Sequence, residues 1–459
     1  MVVVGGGIGG LTTAALLAAR GVSVCLLERN SRVGGCVANF EHLGYAFEPT
    51  AGLYSGWEPN GIHQRIFSEL KVDPPQVDRL SPAYVVRLPD GLEISVSEDS
   101  DQFESDLSWA FPECSQAAVS FYHRLDSILD QATANQHLAS LMTDCSTRFG
   151  RFIDVQLQTF TQTASGQCQL ERAALALTTP RRGMWAIRGG AQALADVLAA
   201  SLKQSGGSLR LNAPVLRLAY GSDGLPVGVD LLSGERVTAT RAIVSNLTVW
   251  DTYGKLIGLS RTPSQISTQL KQLHAWGAYL LFLGIDQAAA SRLSSNHILA
   301  LTDWQQEQTY LPESAQFVFA ATPLWDARAP EDKLAVTIST YTHAEDWFGF
   351  HQDETAHEEQ DQATLDSLWS RIHAAMPELG DSVEVIETAT PRSFYENTRR
   401  KLGMVGRPGG SLKIPEPNES GTTIFPNVFL VGDTNSPVSG LDGLSQSALH
   451  LTDLLTTRG

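Results

Sequence analysis

The chain has 459 residues, 42% hydrophobic and 18% charged; a single core stops growing near about 250–300 residues, so about two folded domains are expected. Lys and Arg number 33 against 50 Asp and Glu, a net charge of −17, which repels a nucleic-acid backbone and an anionic bilayer alike and excludes a polybasic membrane anchor. The five cysteines, Cys25, Cys36, Cys114, Cys145 and Cys168, are odd in number and share no C-x-x-C or Cys/His spacing, so no metal site is expected and they read as small buried hydrophobes of a reducing, cytoplasmic compartment.

In chain order, the first element is a strand at Val2–Val4, then a glycine turn, a helix from Gly9 to Arg20 and a strand from Val22 to Leu27, the opening of a βαβ unit. Met1 abuts that first strand, so the native chain is expected to begin a few residues earlier, and no signal peptide precedes the strand. Residues 58–160 read as mostly helical, with proline joints at 74–75 and 111–113. Gly189-Gly190 then introduces an apolar-striped helix closed by Gly206-Gly207, followed by strands near 228–232 and 241–245. The run AWGAYLLFLGI (275–285) has 11 residues, too few for a spanning helix, which needs about 20; it reads as a buried strand. With QFVFAATPLW and KLAVTISTYT it predicts a second, largely antiparallel sheet. Near the end, apolar Val428–Val431 runs into Gly432-Asp433 and a glycine-rich turn that opens a helix. No repeat or low-complexity tract interrupts this order.

The first turn carries the chemistry. Gly5-x-Gly7-x-x-Gly10 follows a strand and opens a helix, with Gly9 beside the third glycine. In that setting the first glycine permits the tight turn, the second lets backbone N–H groups reach a pyrophosphate, and the third lets helix and strand pack closely; the helix N-terminus adds partial positive charge. Glu28, at the end of the second strand, is placed to accept hydrogen bonds from ribose hydroxyls, and its carboxylate repels the 2′-phosphate of NADP. FAD and NAD both use such a loop. A second pair, Gly34-Gly35, lies just past Glu28 in ERNSRVGG, with Arg29 and Arg32 between them. That pair lets the chain cross close to an extended cofactor, where Arg32 neutralises phosphate charge. Gly432-Asp433 adds a third, distant contact, and three separated contacts fit a buried flavin dinucleotide, FAD, better than a nicotinamide one.

The stretches VVVGGGIGGL, LLERNSRVGG, AIRGGAQALADVLAASLKQSGG and NVFLVGDTNSPVSGLDG together resemble the FAD-dependent carotenoid desaturase and isomerase group. That group takes in bacterial-type phytoene desaturases, carotenoid isomerases and retinol saturases, and is a branch of the amine-oxidase-like flavoproteins. Within it, YSGWEPNGIHQRIFSEL, RFIDVQLQTFTQ and ALALTTPRRGMWAIRGG are similar to the carotenoid 3,4-desaturases. The resemblance implies an α/β fold: a discontinuous Rossmann-like FAD-binding domain (1–85, 185–250 and 395–459) with an inserted α+β substrate-binding domain (86–184 and 251–394). It implies that Gly5, Gly7 and Gly10 hold the pyrophosphate, Glu28 the adenosine ribose, Val215 the adenine, and Arg32, Gly34 and Gly35 the central crossing. Gly432 and Asp433 are implied for the ribityl and pyrophosphate part, and Gly440 and Leu441 for the flavin pyrimidine. The group's P-G-x-G before the last helix stands here as Pro437-Val438-Ser439-Gly440; a valine resists positive φ, so the loop beside the isoalloxazine is expected to differ.

The implied partner is an apolar polyene taken from a membrane, met by a cytoplasmic or peripherally attached protein, with oxygen or a quinone as the electron acceptor. A desaturase moves a hydride from an allylic carbon to flavin N5 and loses a proton from the neighbouring carbon. The polyene spreads the positive charge, so positioning and water exclusion matter more than acid–base help, in keeping with the absence of any catalytic dyad in the sequence. Glu48 is the one candidate acid facing the flavin; His343 and His450 read as structural, and Trp57, Trp276, Trp325 and Trp347 are candidates to line a polyene tunnel. Isomerisation on the same scaffold, or a prenyl-lipid escort role without flavin, stays open beside desaturation.

Overall fold

A computed structural model describes residues 1–128, 136–273, 275–305, 309–349, 354–380, 382–406, 422–434 and 440–457, apart from the side chains of 385 and 386. Short apolar runs near both chain ends become parallel strands buried on both faces, as parallel sheets require. Val2–Val4 (β1) leads through the glycine loop into the helix Ile8–Ala19 (α1) and then Cys25–Leu27 (β2). The helix Ala191–Gln204 (α2) feeds Ser208–Arg210 (β3); Ile243–Ser245 is β4, Val428–Leu430 is β5, and Gly440–Thr457 is α3. The sheet order is β3-β2-β1-β4-β5 with every pair parallel. Strand order therefore reverses between β1 and β4, and the crevice outside the carboxyl ends of these two strands is where an open parallel sheet binds a dinucleotide.

Side chains of β1 alternate between two layers. Val3 packs among Leu11, Leu16, Leu198 and Leu449 of the three helices. Val2 and Val4 face the opposite cluster with Val229, Trp250 and Leu430. That second cluster draws on a three-stranded antiparallel unit (Val215–Tyr220, Pro226–Leu231 and Arg236–Thr238) that fills the connection from β3 to β4.

The second sheet has seven strands, in the order Val383–Ala389, Gly277–Asp286, Lys333–Thr342, Gln316–Ala321, His297–Leu301, Tyr84–Arg87 and Glu93–Val96. All its pairs are antiparallel except His297–Leu301 with Tyr84–Arg87. The run expected as a buried strand is Gly277–Asp286, paired on both sides next to the edge strand Val383–Ala389. Helices including Phe103, Phe121 and Phe152 cover one face, and Leu368 and Ile372 of Glu354–Ala375 cover the other. The expectation of a mostly helical 58–160 needs correcting: strands Val77–Arg79, Tyr84–Arg87 and Glu93–Val96 lie within it. Tyr84, Val85 and Val86 are buried because they pair with a strand remote in sequence, and this outweighs their helical surroundings. No described helix is long and apolar enough to cross a membrane.

Candidate active site

The carboxyl end of β1 turns at Gly5, whose φ is +99°. Gly10 stands in the first turn of α1 so close to the loop that a Cβ there would lie 2.2 Å from the Gly5 carbonyl oxygen. The helix can begin directly over the strand end only because that atom is missing. Its N-terminus, at the N-cap Gly7, carries no capping side chain, so the first N–H groups are left for a ligand. Gly5, Gly7 and Gly9 line a cavity of about 390 Å³ together with Glu28, Arg29, Gly34, Gly35, Val215 and Asp433.

The two glycine clusters touch one another. Gly7 and Gly34 form a parallel bridge, and the Gly34 N–H donates to the Gly6 carbonyl at 2.9 Å. A Cβ on Gly35 would sit 3.2 Å from the Gly7 Cα. The second pair thus lets its own loop close over the first, forming one wall of the cavity. Glu28 is buried, and its carboxylate accepts from the N–H groups of Gly6 at 2.7 Å and Asn30 at 2.8 Å. Arg29 Nη1 is buried with no hydrogen-bond partner among the described residues, an arrangement that costs free energy unless a ligand completes it. Arg32 instead donates to the Asn39 carbonyl at 2.6 Å and does not line the cavity.

Several lining residues escape a sequence reading. Asn246 follows β4 at the switch point; its side chain donates to the Gly5 carbonyl at 3.4 Å and would meet a Cβ on Gly7 or Gly9 within 3 Å. Lys255, Arg399 and Arg400 bring cations to the same cavity. Gly432, with φ +137°, packs against Gly9 behind the cavity wall, while Asp433 forms a twin ion pair with Arg400 at 2.9 and 3.1 Å. Burial opposes the charge of Arg400, but facing Asp433 and Cys36 holds its pKa above the ordinary guanidinium value. Burial in turn raises the Cys36 thiol, only partly offset by Arg400, so Cys36 stays protonated. Only the position of Asn246 at a strand end carries a sequence signal; Lys255 comes from the helical segment Thr252–Gly258, and Arg399 and Arg400 from the joint after Pro391–Thr398, neither with a motif.

A second cavity, about 370 Å³, opens beyond Asp433 and shares Val37, Asp433 and Leu444 with the first. Leu53, Phe160, Leu175, Met184 and Leu441 make it apolar, and Gly440 and Asp442 stand at its α3 end. Pro437, Val438 and Ser439 lie outside the described residues. The aromatic lining comes from Phe160, Tyr54 and Tyr341. None of the four tryptophans lines either cavity: Trp57 stacks on His63, Trp276 packs at a tilt on His343, Trp325 lies under Arg188, and Trp347 packs on Tyr279. His343 and His450 are exposed. No group of three or more His, Cys, Asp or Glu suited to a metal occurs among the described residues.

Glu48 sits behind the wall of this second cavity. It accepts from the Ala191 N–H at 2.8 Å, at the start of α2, from the Tyr54 hydroxyl, and from Arg328 at 3.2 Å. Arg328 pairs also with Asp326 at 2.8 Å, which in turn accepts from the Gly189 N–H at 3.2 Å. The Glu48, Asp326 and Arg328 side chains are all under 10% exposed, and such burial is tolerated because each is paired and hydrogen-bonded. Burial disfavours the Arg328 charge, and the two acids overcome it to raise its pKa. This network ties the 189–190 glycine turn to the loop between the central strands of the second sheet. Beside it, burial and then Arg328 push His297 down to about 4.

A dinucleotide fits these features: free N–H groups at a helix start, a buried acid on the cavity wall, the unpartnered Arg29 Nη1 and a long two-part cavity. The model for flavin containing amine oxidoreductases matches residues 8–449. Prolycopene isomerase 2 of an Oncidium hybrid cultivar is 27% identical over 98% of this chain and 82% of its own length. All-trans-retinol 13,14-reductase of Danio rerio is 24% identical over 85% of this chain and 74% of its own. In three dimensions, an oxidoreductase from Methanosarcina mazei superposes with a TM-score of 0.71 at 16% identity, covering 98% of this chain and 99% of its own. A match spanning nearly the whole chain, on a fold whose two glycine clusters close one dinucleotide crevice, places this protein in the flavin containing amine oxidoreductase family.

Proposed function

We propose that the chain is an FAD-dependent enzyme that desaturates a long apolar carotenoid. The observation that carries this reading is the junction of the two cavities: the nucleotide crevice continues, past Val37, Asp433 and Leu444, into a pocket whose apolar wall is built by Leu53, Phe160, Leu175, Met184 and Leu441. Bound FAD would supply a two-electron acceptor at N5. Gly5, Gly7, Gly9, Glu28 and Arg29 hold its nucleotide half, and the wall shared by Gly34 and Gly35 holds its centre. Leu53, Phe160, Leu175 and Met184 would align a polyene beside the bound cofactor and keep water out. Arg400 fixes the Asp433 side chain at the junction through their twin ion pair.

Cis–trans isomerisation is the second reading, favoured by likeness to prolycopene isomerase over almost the full chain. The test is to supply acyclic and monocyclic carotenoids in liposomes to the FAD-loaded protein and measure product mass and spectrum. Loss of two hydrogens is expected; unchanged mass with a shifted spectrum would establish the isomerase, and no product from any polyene would overturn both.

A further inference from the structure

Around Gly56 three buried polar atoms lack a hydrogen-bond partner among the described residues: Asp442 Oδ1, His63 Nε2 and Trp57 Nε1. Such atoms are rare in folded proteins and mark functional groups or sites of ordered water. Here they are neighbours. A Cβ on Gly56 would fall 2.9 Å from Asp442 Cβ and 3.2 Å from His63 Cδ2, and Trp57 stacks on His63 with ring centroids 4.1 Å apart. Gly56, at φ +83°, is the space that lets the acid and the imidazole approach. Ser55 links them, its hydroxyl bonding the Asp442 carboxyl and its backbone bonding the His63 ring. Asp442 and Ser55 line the apolar cavity, whereas His63 and Trp57 lie behind it.

We propose that Asp442 is the catalytic base of this cavity, positioned by Ser55, which His63 in turn holds from behind the cavity wall. The inference rests on the polyene reading above. After the hydride and its electron pair have left the allylic carbon for flavin N5, the C–H bond on the neighbouring carbon breaks. Its electron pair becomes the new C=C π bond, and the proton passes to Asp442 Oδ1, the oxygen free to take it. The substrate thereby loses one hydride and one proton, and the flavin is reduced by two electrons. Burial raises the Asp442 pKa against the opposing bonds from Ser55 and Gly443, with Glu58 nearby raising it further, and lowers that of His63 to about 4. The carboxyl is thus a better proton acceptor than an exposed aspartate. Proton transfer by a placed side chain contributes about 10²–10⁴-fold to a rate.

The test compares wild type, Asp442→Asn, Asp442→Glu and His63→Gln, each loaded with FAD and checked for fold by circular dichroism and for flavin content. Anaerobic single-turnover conversion of a carotenoid that wild type accepts is expected to slow about 10²–10⁴-fold in Asp442→Asn, with most of the rate regained in Asp442→Glu and a smaller loss in His63→Gln. Infrared titration of the cofactor-free chain provides a second readout: a protonated-carboxyl band that persists above the usual Asp range in wild type and vanishes in Asp442→Asn. Equal rates in wild type and Asp442→Asn, or no such band, would overturn the role of Asp442 while leaving the polyene reading standing. Wild type that converts no polyene would overturn both.

Discussion

Replacing Gly10 by alanine sets two effects of known sign against each other. Alanine favours a helix over glycine by about 1 kcal/mol, so an unobstructed site would gain stability. Here the new Cβ would lie 2.2 Å from the Gly5 carbonyl oxygen and 3.0 Å from Asn246 Cβ, where contacts normally begin near about 3.5 Å. Helix α1 must retreat from β1 by about 1 Å, and overpacking of this kind costs about 1–3 kcal/mol. The clash wins by a modest margin, so the protein still folds. The larger effect falls on the cofactor, because the same shift carries the free N–H groups of α1 off their aim. Gly150→Ala is the control: it sits inside the helix Thr147–Thr161, its Cβ would meet nothing nearer than Met142 Cε at 3.8 Å, and it should stabilise by about 0.5–1 kcal/mol. Urea unfolding of the cofactor-free proteins, with flavin titration by absorbance, checks both. Gly10→Ala is expected to lose about 1 kcal/mol and to bind flavin at least about tenfold more weakly. Wild-type flavin affinity in Gly10→Ala would refute the close-approach argument.

Glu48→Ala removes one acid from a buried network and leaves Arg328 with Asp326 alone and the Ala191 N–H without its acceptor; a loss of about 3–5 kcal/mol is expected in urea unfolding, and a loss below about 1 kcal/mol would contradict the pairing. Arg400→Met leaves Asp433 without its cation at the junction, so about 1–3 kcal/mol of stability and part of the bound flavin should be lost together; unchanged flavin content after dialysis would count against the assigned place of Asp433. His63 and His297 are held neutral, their pKa values pushed down to about 4 by burial, against about 6.5 unfolded. The unfolded chain therefore binds more protons as pH falls from about 6.5 towards about 4, and each histidine withdraws about 2 kcal/mol of stability by pH 5. A urea midpoint that stays constant from pH 7 to 5 would contradict this, and His297→Phe should flatten the slope.

Features that depend on neighbours in sequence were legible from the residues. The Gly5–Gly10 loop, Glu28 and the β5 end at Gly432-Asp433 are local motifs, and each sits at a carboxyl strand end of the parallel sheet. What escaped depends on contacts far apart in the chain. Tyr84–Arg87 is a strand because it pairs with His297–Leu301, and no local period announces that. Asn246 and Arg400 reach the crevice from β4 and from a motif-free loop. The second glycine pair stands out in the sequence, but its close packing on Gly6 and Gly7 appears only in three dimensions. The tryptophans were candidates on residue type alone, and the cavity wall uses Phe160 and Tyr341 instead.

The most direct test of the account is electron transfer from a polyene to the flavin of this chain. FAD-loaded protein, free of oxygen, is mixed with carotenoid in liposomes while the flavin absorption near ~450 nm and the mass of the polyene are followed. Bleaching of that band in step with the loss of two hydrogens per flavin is the predicted result. A flavin that stays oxidised in the presence of every carotenoid tried, or a folded protein that takes up no flavin, would contradict it.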